Sequence, residues 1–272
     1  VIPCIIPDKH TWFSVREEAG AFLFEDVDMA MKALSRSLWH HRFHSAGKAQ
    51  APKAARRTRR KAALAKGFMG PDEAFALLGS YGVPHADAAV VLTADEAARA
   101  ARRLRYPVAL KTADPGVLHK TERGGVTLGI RSEAELRKAF KAMKAGRCLI
   151  QKMAPEGTEV IIGARRDSEF GHVVLFGLGG IFVELLKDTA MRVAPLTAKD
   201  AESMVRDIRA SGVLNGFRGR GPLDVKALGR CIAGVSKLLA DHPEIADIDI
   251  NPLILYGKGQ GCLAVDAKIE VS

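Results

Sequence analysis

Three hydroxyl residues each stand three positions ahead of a carboxylate: Thr93 before Glu96, Ser132 before Glu135 and Thr197 before Asp200. Each pair can satisfy two of the bare amides at a helix start, so each predicts a helix N-terminus, Asp200 being the weaker carboxylate partner. Around these starts lie short apolar runs rich in β-branched residues, at 88–92, 107–112, 126–130, 148–153, 159–164 and 172–176, and these predict strands. Pro71-Asp72-Glu73 opens a further helix, in which Ala74, Leu77, Leu78 and Tyr81 share one face and Gly82 ends it. A helix over about 225–240 would bury Leu228, Ile232, Val235 and Leu239, and strands at about 245–255 and 262–271 close the chain. An earlier helix begins near Glu25-Asp26, with Val27, Met31, Leu34 and Leu38 on one face. No internal repeat is evident. Strands alternating with helices, several of them adjacent, predict an α/β or α+β fold and exclude an all-α or all-β one.

Composition narrows the class further. The chain has 272 residues, 47% hydrophobic and 26% charged, enough for a large core and unlike a disordered chain. Its longest apolar stretch, 172–186, is interrupted by Gly177, Gly179 and Gly180 and is too short for a membrane helix. Cys4, Cys148, Cys231 and Cys262 are widely spaced, which fits a reduced cytoplasmic protein better than a disulfide or zinc framework. The formal charge is +10, and eight of those charges (Lys48, Lys53, Arg56, Arg57, Arg59, Arg60, Lys61 and Lys66) lie in the acid-free stretch 45–70. Such a run could bind phosphates of a nucleic acid or a membrane surface. No aromatic residues interleave it and no recognition module flanks it, so a solvated tether is the expected reading.

Chemistry concentrates in the glycine-rich and C-terminal segments. If Lys258-Gly259 is the centre of the last turn, residues whose numbers sum to 517 face one another, which sets Asn251 opposite Asp266. Asp249 falls on the same strand face as Asn251. Three oxygen-bearing side chains there suit Mg²⁺, although a polar solvent-facing hairpin is an equal alternative, and Pro252 implies an edge or a bulge. Lys111 ends a buried strand and can reach phosphates as a point charge. The segment from His119 to Val126 places Gly124 and Gly125 before a strand, where bare backbone amides can meet an anion. His119 is either a phosphoryl acceptor or an ordinary loop residue. The cluster 176–184, with Gly179, Gly180 and Glu184, is either a tight bend or a loop over phosphates, with Lys187, Asp188 and Arg192 close by. It matches neither the GK[ST] nor the GxGxxG pattern.

Taken together, these motifs resemble a known family. Leu118-His119-Lys120-Thr121 with Gly124-Gly125-Val126, then 151–159 (QKMAPEGTE), 176–184 (FGLGGIFVE), Ala194-Pro195-Leu196 and 249–253 (DINPL) occur in the order found in the ATP-grasp domain of NDP-forming acyl-CoA synthetases, relatives of succinyl-CoA synthetase. The likeness runs from about Phe68 to Ile269, and 20–43 resembles the end of the CoA-ligase portion of fused members. The resemblance implies an α/β class of the α+β ATP-grasp type, two subdomains clasping a nucleotide. It divides the chain into a truncated α/β remnant (1–44), a basic linker (45–67) and the ATP-grasp domain (68–272), with a lid-type subdomain at about 106–150.

The implied reaction is acid + CoA + ATP ⇌ acyl-CoA + ADP + phosphate through a phosphohistidine, with ATP or ADP and Mg²⁺ as ligands. By the same resemblance Lys111 holds phosphates, Gln151, Met153 and Ala154 form the hinge against adenine, and Asn251 and Asp266 hold Mg²⁺. Asp249 orients the incoming phosphohistidine and His119 is a second phosphorylatable histidine. Gly124, Gly125, Glu159, Gly179, Gly180, Glu184 and Arg192 complete the nucleotide set. CoA is expected on a domain or subunit outside this chain that also carries the main phosphohistidine. The resemblance also implies an oligomer, while the broken apolar stretch 172–186 and the aromatic-free basic run lead to the expectation of no membrane and no nucleic-acid partner. The span 140–151 is shorter than the family pattern. The same architecture also occurs as a non-catalytic regulatory module in protein acetyltransferases, which is the competing reading.

Overall fold

The computed structural model describes residues 24, 26–45, 64–113, 124–180, 187–216 and 221–272. His119, Glu184 and most of the basic linker lie outside the described residues. The chain divides into two units, 1–54 and 55–272. In the first, helix α1 (Val27–Ser45) starts at Asp26, whose side chain accepts from the amide of Asp28 at 2.7 Å. The apolar positions read as one face, Val27, Met31, Leu34 and Leu38, are exposed.

The second unit holds two antiparallel sheets. In chain order its elements are β1 (Gly67–Phe68), α2 (Pro71–Ser80), β2 (Ala88–Val91), α3 (Ala94–Leu104), β3 (Val108–Thr112), β4 (Val126–Ile130), α4 (Glu133–Met143) and β5 (Cys148–Lys152). Next come β6 (Thr158–Asp167), β7 (Gly171–Leu178), β8 (Thr189–Val193), α5 (Ala198–Arg206), a 3₁₀ turn (Arg209–Asn215), α6 (Val225–Asp241), β9 (Ile245–Leu255), β10 (Cys262–Ala264) and β11 (Ala267–Val271). The small sheet runs β2-β5-β3-β4, and the large one β1-β11-β9-β6-β7-β8 with β10 also on β9.

The capping pairs act as read from the sequence. Thr93, Ser132 and Thr197 each accept, at 3.2 Å, from the amide three residues on, at Glu96, Glu135 and Asp200. The three carboxylates bond back to the amides of Leu92, Arg131 and Thr197, so both members of each pair are used. Helices α5 and α6 cover the large sheet, and Met204, Leu228, Ile232 and Val235 are fully buried in one core with Val160, Ile162 and Phe176. Val108, Leu110 and Ile150 form a second core with Ala97, Ala101 and Leu136. Full burial of side chains of this size is worth about 1.5–3 kcal/mol each, which makes these two cores the main fastening of α3–α6 to their sheets.

Several expectations change. The small sheet takes in β2, because Ala88–Val91 pairs with Cys148–Gln151, so its unit begins well before residue 106 and ends at Lys152. Strand β8 carries no alternation that marks it in the sequence; its pairing with β7 defines it. The hairpin holding Pro252 is not an edge, since β9 lies between β6 and β11. Pro252 sits where the β6–β9 register shifts between Val160 and Ile162, a bulge that tolerates the missing donor. Cys231 and Cys262, far apart in sequence, bring their free thiols within 3.2 Å, on α6 and β10.

Candidate functional site

A cavity of ≈ 830 Å³ lies between the two sheets. Ala109 and Lys111 of β3, Val126 and Leu128 of β4, and Gln151 and Lys152 of β5 form one wall. Met153 to Gly157, Thr158 and Glu159 of β6, Asn251, Pro252, Ile254 to Tyr256, and Val265-Asp266 form the other side.

Lys111 is 7% exposed. Its strand pairs with Leu149 of β5 on one side and Val126 of β4 on the other, and its Nζ donates to the carbonyl of Val265 at 2.6 Å. A cation on the small sheet is thereby set one residue from Asp266.

The facing of Asn251 and Asp266 follows the register. Leu255↔Cys262, Leu253↔Ala264 and Ile250↔Ala267 all pair as the turn centre requires, and the amide of Asn251 donates to the carbonyl of Asp266 at 3.2 Å. Both residues line the cavity. Among the described residues no group of three His, Cys, Asp or Glu side chains could hold a metal ion. One amide and one carboxylate are a partial donor set, of the kind Mg²⁺ completes with phosphates and water. The residues present therefore fit Mg²⁺ carried on a phosphate ligand, and not a stand-alone metal site.

Gln151 is 2% exposed, and its Nε2 has no hydrogen-bond partner. A buried donor left unpaired costs about 1–3 kcal/mol, so a ligand accepting there would recover that cost. Beyond it, the amide of Lys152 donates to Asp87 and that of Met153 to Pro107, which holds the strand end against the small sheet. Met153, Ala154 and Glu159 line the cavity.

The glycines play a supporting part. The carbonyl of Gly125 accepts from Thr112 at 2.8 Å and fixes the turn into β4, in which Gly124 takes φ +68°. The amide of Gly179 donates to Glu159 at 2.8 Å, and a Cβ on Gly179 would stand 2.9 Å from the Cβ of Glu159. Gly180 follows at φ +62°. None of these four lines the cavity.

Besides these glycines, two further expected residues stand outside the lining. Arg192 does not line the cavity; its guanidinium pairs with Asp207 and donates to the carbonyl of Met191 at 2.8 Å. Long-range pairing of β8 on β7 puts it there, which sequence proximity to the glycine cluster does not reveal. Asp249 is also outside the lining, two residues before Asn251, between Gly163 and Lys268 in the sheet. Burial pushes its carboxyl above the usual carboxylate value, with Asp247 and Asp266 adding to the rise and Lys268 opposing it.

Sequence reasoning missed Gly157, Leu223, Tyr256 and Gln260, all in the lining. Gly157 had a readable sign, a glycine after a proline at a strand start: a Cβ there would lie 2.5 Å from Cγ2 of Ile254. The hydroxyl of Tyr256 is buried with no partner, and burial followed by the Cys262 thiol raises its pKa. Nothing local in the sequence marks Tyr256, since its place comes from the β9–β10 turn.

Comparison with known proteins bears on this arrangement. A family model of the ATP-grasp domain matches residues 60–271. The chain is 41% identical over 209 residues to the ADP-forming acetate–CoA ligase II subunit beta of Pyrococcus furiosus, covering 72% of this chain and 89% of that one. Acetyl-coenzyme A synthetase 1 of Candidatus Korarchaeum cryptofilum, solved with coenzyme A and Ca-AMPCP, superposes with TM-score 0.73 at 39% identity, covering 76% of this chain and 94% of that one. A second structure of that enzyme, with coenzyme A, Mg-AMPPCP and a phosphohistidine segment pointing towards the nucleotide site, gives TM-score 0.68 at 41% identity, with 75% and 93% covered.

Proposed function

The chain belongs to the ATP-grasp domain family, and on that premise we propose that it is the nucleotide-binding, phosphoryl-transferring portion of an ADP-forming acyl-CoA synthetase. The reading rests above all on one juxtaposition: Lys111 from the small sheet reaches Val265, beside the facing pair Asn251 and Asp266, in a cavity of nucleotide size.

In this reading the nucleotide lies between the sheets. Gln151, Met153 and Ala154 meet the base, where the buried Nε2 of Gln151 supplies a donor, and Glu159 faces the sugar side. Lys111 neutralises phosphate charge while remaining anchored by its own sheet. Asn251 and Asp266 would hold Mg²⁺, which supplies charge neutralisation at the transferring phosphoryl group. Asp249, half-buried behind them, orients the imidazole of an incoming histidine. Gly124 and Gly125 shape the turn into β4, and Gly179 and Gly180 lead into the segment that carries Glu184. His119 is proposed as a second phosphoryl acceptor. Most of the work assigned to the protein is positioning and electrostatic stabilisation.

The relative named as a beta subunit and the coenzyme A found with the solved relatives support the proposal that CoA and the main phosphohistidine sit on a partner domain or subunit, in an oligomer. Among the described residues no helix is long and apolar enough to cross a membrane; the cytoplasmic setting is proposed from the widely spaced cysteines. The test is phosphoryl transfer. Radiolabelled ATP, incubated with this chain and its CoA-ligase partner, is expected to leave an acid-labile, base-stable label. If no such label forms, the non-catalytic regulatory reading replaces the enzymatic one.

A further inference from the structure

The far end of the cavity is built from two segments distant in sequence. Leu223 comes from the lead into α6, and Tyr256, Gly257 and Gln260 come from the β9–β10 turn. One side chain, absent from the cavity lining, joins them. Asp224 is 8% exposed; its Oδ1 accepts from the amide of Ala227 at 3.0 Å, and its Oδ2 accepts from the amides of Gly259 at 3.1 Å and Gly261 at 3.0 Å. Main-chain bonds run alongside, from Asp224 to the carbonyl of Tyr256 and from Lys258 to that of Pro222, both at 2.9 Å. Gly259 and Gly261 take φ of +82° and +81°, a left-handed backbone that glycine adopts without strain and that turns both amides toward the carboxylate.

We infer that Asp224 is a positioning residue of the nucleotide cavity, setting the wall formed by Leu223, Tyr256 and Gly257. This rests on the nucleotide reading above. The chemistry demands a carboxylate. An ionised carboxylate accepts at both oxygens and donates at neither, so it can take three amides at once. Asparagine would set its NH₂ against one of those amides, and alanine would remove the acceptor of all three, the buried amide of Ala227 and the part-buried amides of Gly259 and Gly261. Helix capping alone would need the Ala227 bond; the two bonds into the turn are what tie the cap to the cavity.

The experiment uses the full chain and measures Mg-ADP affinity by calorimetry, melting temperature, and hydrogen exchange of residues 257–261. Thr197→Ala, which removes the cap of α5 away from the cavity, is the control for simple destabilisation. Asp224→Ala is expected to melt lower, as the control does, but in addition to exchange faster at 257–261 and to bind Mg-ADP roughly tenfold more weakly, the equivalent of one charge-assisted hydrogen bond. Asp224→Asn keeps an acceptor oxygen, is expected to fall between, and carries the test if the alanine variant does not fold. Affinity in the Asp224 variants equal to that of Thr197→Ala, with the unaltered chain binding normally, overturns the inference alone. Failure of the unaltered chain to bind Mg-ADP overturns the nucleotide reading and this inference with it.

Discussion

Lys111 reaches across the cavity from the small sheet to the large one, its Nζ donating to the carbonyl of Val265 at 2.6 Å. The side chain is thus oriented by the protein before any anion arrives, and little rotamer freedom remains to be lost on binding. Lys111→Ala is expected to weaken Mg-ADP binding by about 10- to 100-fold, the worth of a charged hydrogen bond of roughly 1.5–3 kcal/mol. Titration calorimetry reads this directly. Lys111→Arg should restore little, because a planar fork cannot replace a point charge in a buried strand.

Asp266 carries the anionic half of the proposed magnesium pair. Asp266→Asn keeps the backbone bond to Asn251 and the shape of the side chain but removes the charge. The expected result is a nucleotide affinity that no longer rises with added Mg²⁺, while metal-free binding stays near that of the unaltered chain. A magnesium titration at fixed ADP measures both.

Gly157 has no room for a side chain, since a Cβ would meet Cγ2 of Ile254 at 2.5 Å and the carbonyl of Leu255 at 2.9 Å. Gly157→Ala should cost about 1–3 kcal/mol of stability, the usual range for overpacking, and also distort the wall that Gly157 forms. Gly212→Ala, where nothing lies within 4 Å of the added carbon, is expected to melt like the unaltered chain. Thermal denaturation separates the two.

Asp249 and Asp224 give opposite pH dependences. Burial raises the carboxyl of Asp249 above its ordinary 3.8. The folded chain therefore keeps that proton to higher pH than the unfolded chain, and stability falls as pH rises through the interval between the two values. Asp249→Asn should thus melt higher than the unaltered chain at about pH 7, and the difference should vanish below about pH 4. For Asp224 burial acts upward but the amides of Ala227, Gly261 and Gly259 outweigh it, so its value is depressed. Its stabilisation is present above the ordinary carboxylate value and is lost as pH falls through the depressed one. Melting curves taken from about pH 7 down to about pH 3 for both variants check the two signs.

Local rules carried much of this fold. The capping pairs at Thr93, Ser132 and Thr197 needed only three-residue spacing. The meeting of Asn251 with Asp266 needed only a turn centre at Lys258-Gly259 and the period of two along a strand. What escaped depends on contacts between distant segments. Ala88–Val91 joins the small sheet through a partner about 60 residues on. Arg192 is drawn to Asp207 by the packing of α5 against β8, and Tyr256 meets the cavity because Asp224 holds the turn beside it. Such relationships leave no local spacing to read.

The proposed function requires that a nucleotide bind between the two sheets. Calorimetric titration of the unaltered chain with ADP, with and without Mg²⁺, tests this most directly. One site per chain is expected, tighter with Mg²⁺ and weakened by Lys111→Ala. No heat of binding at millimolar nucleotide, or binding that Lys111→Ala leaves unchanged, would contradict it.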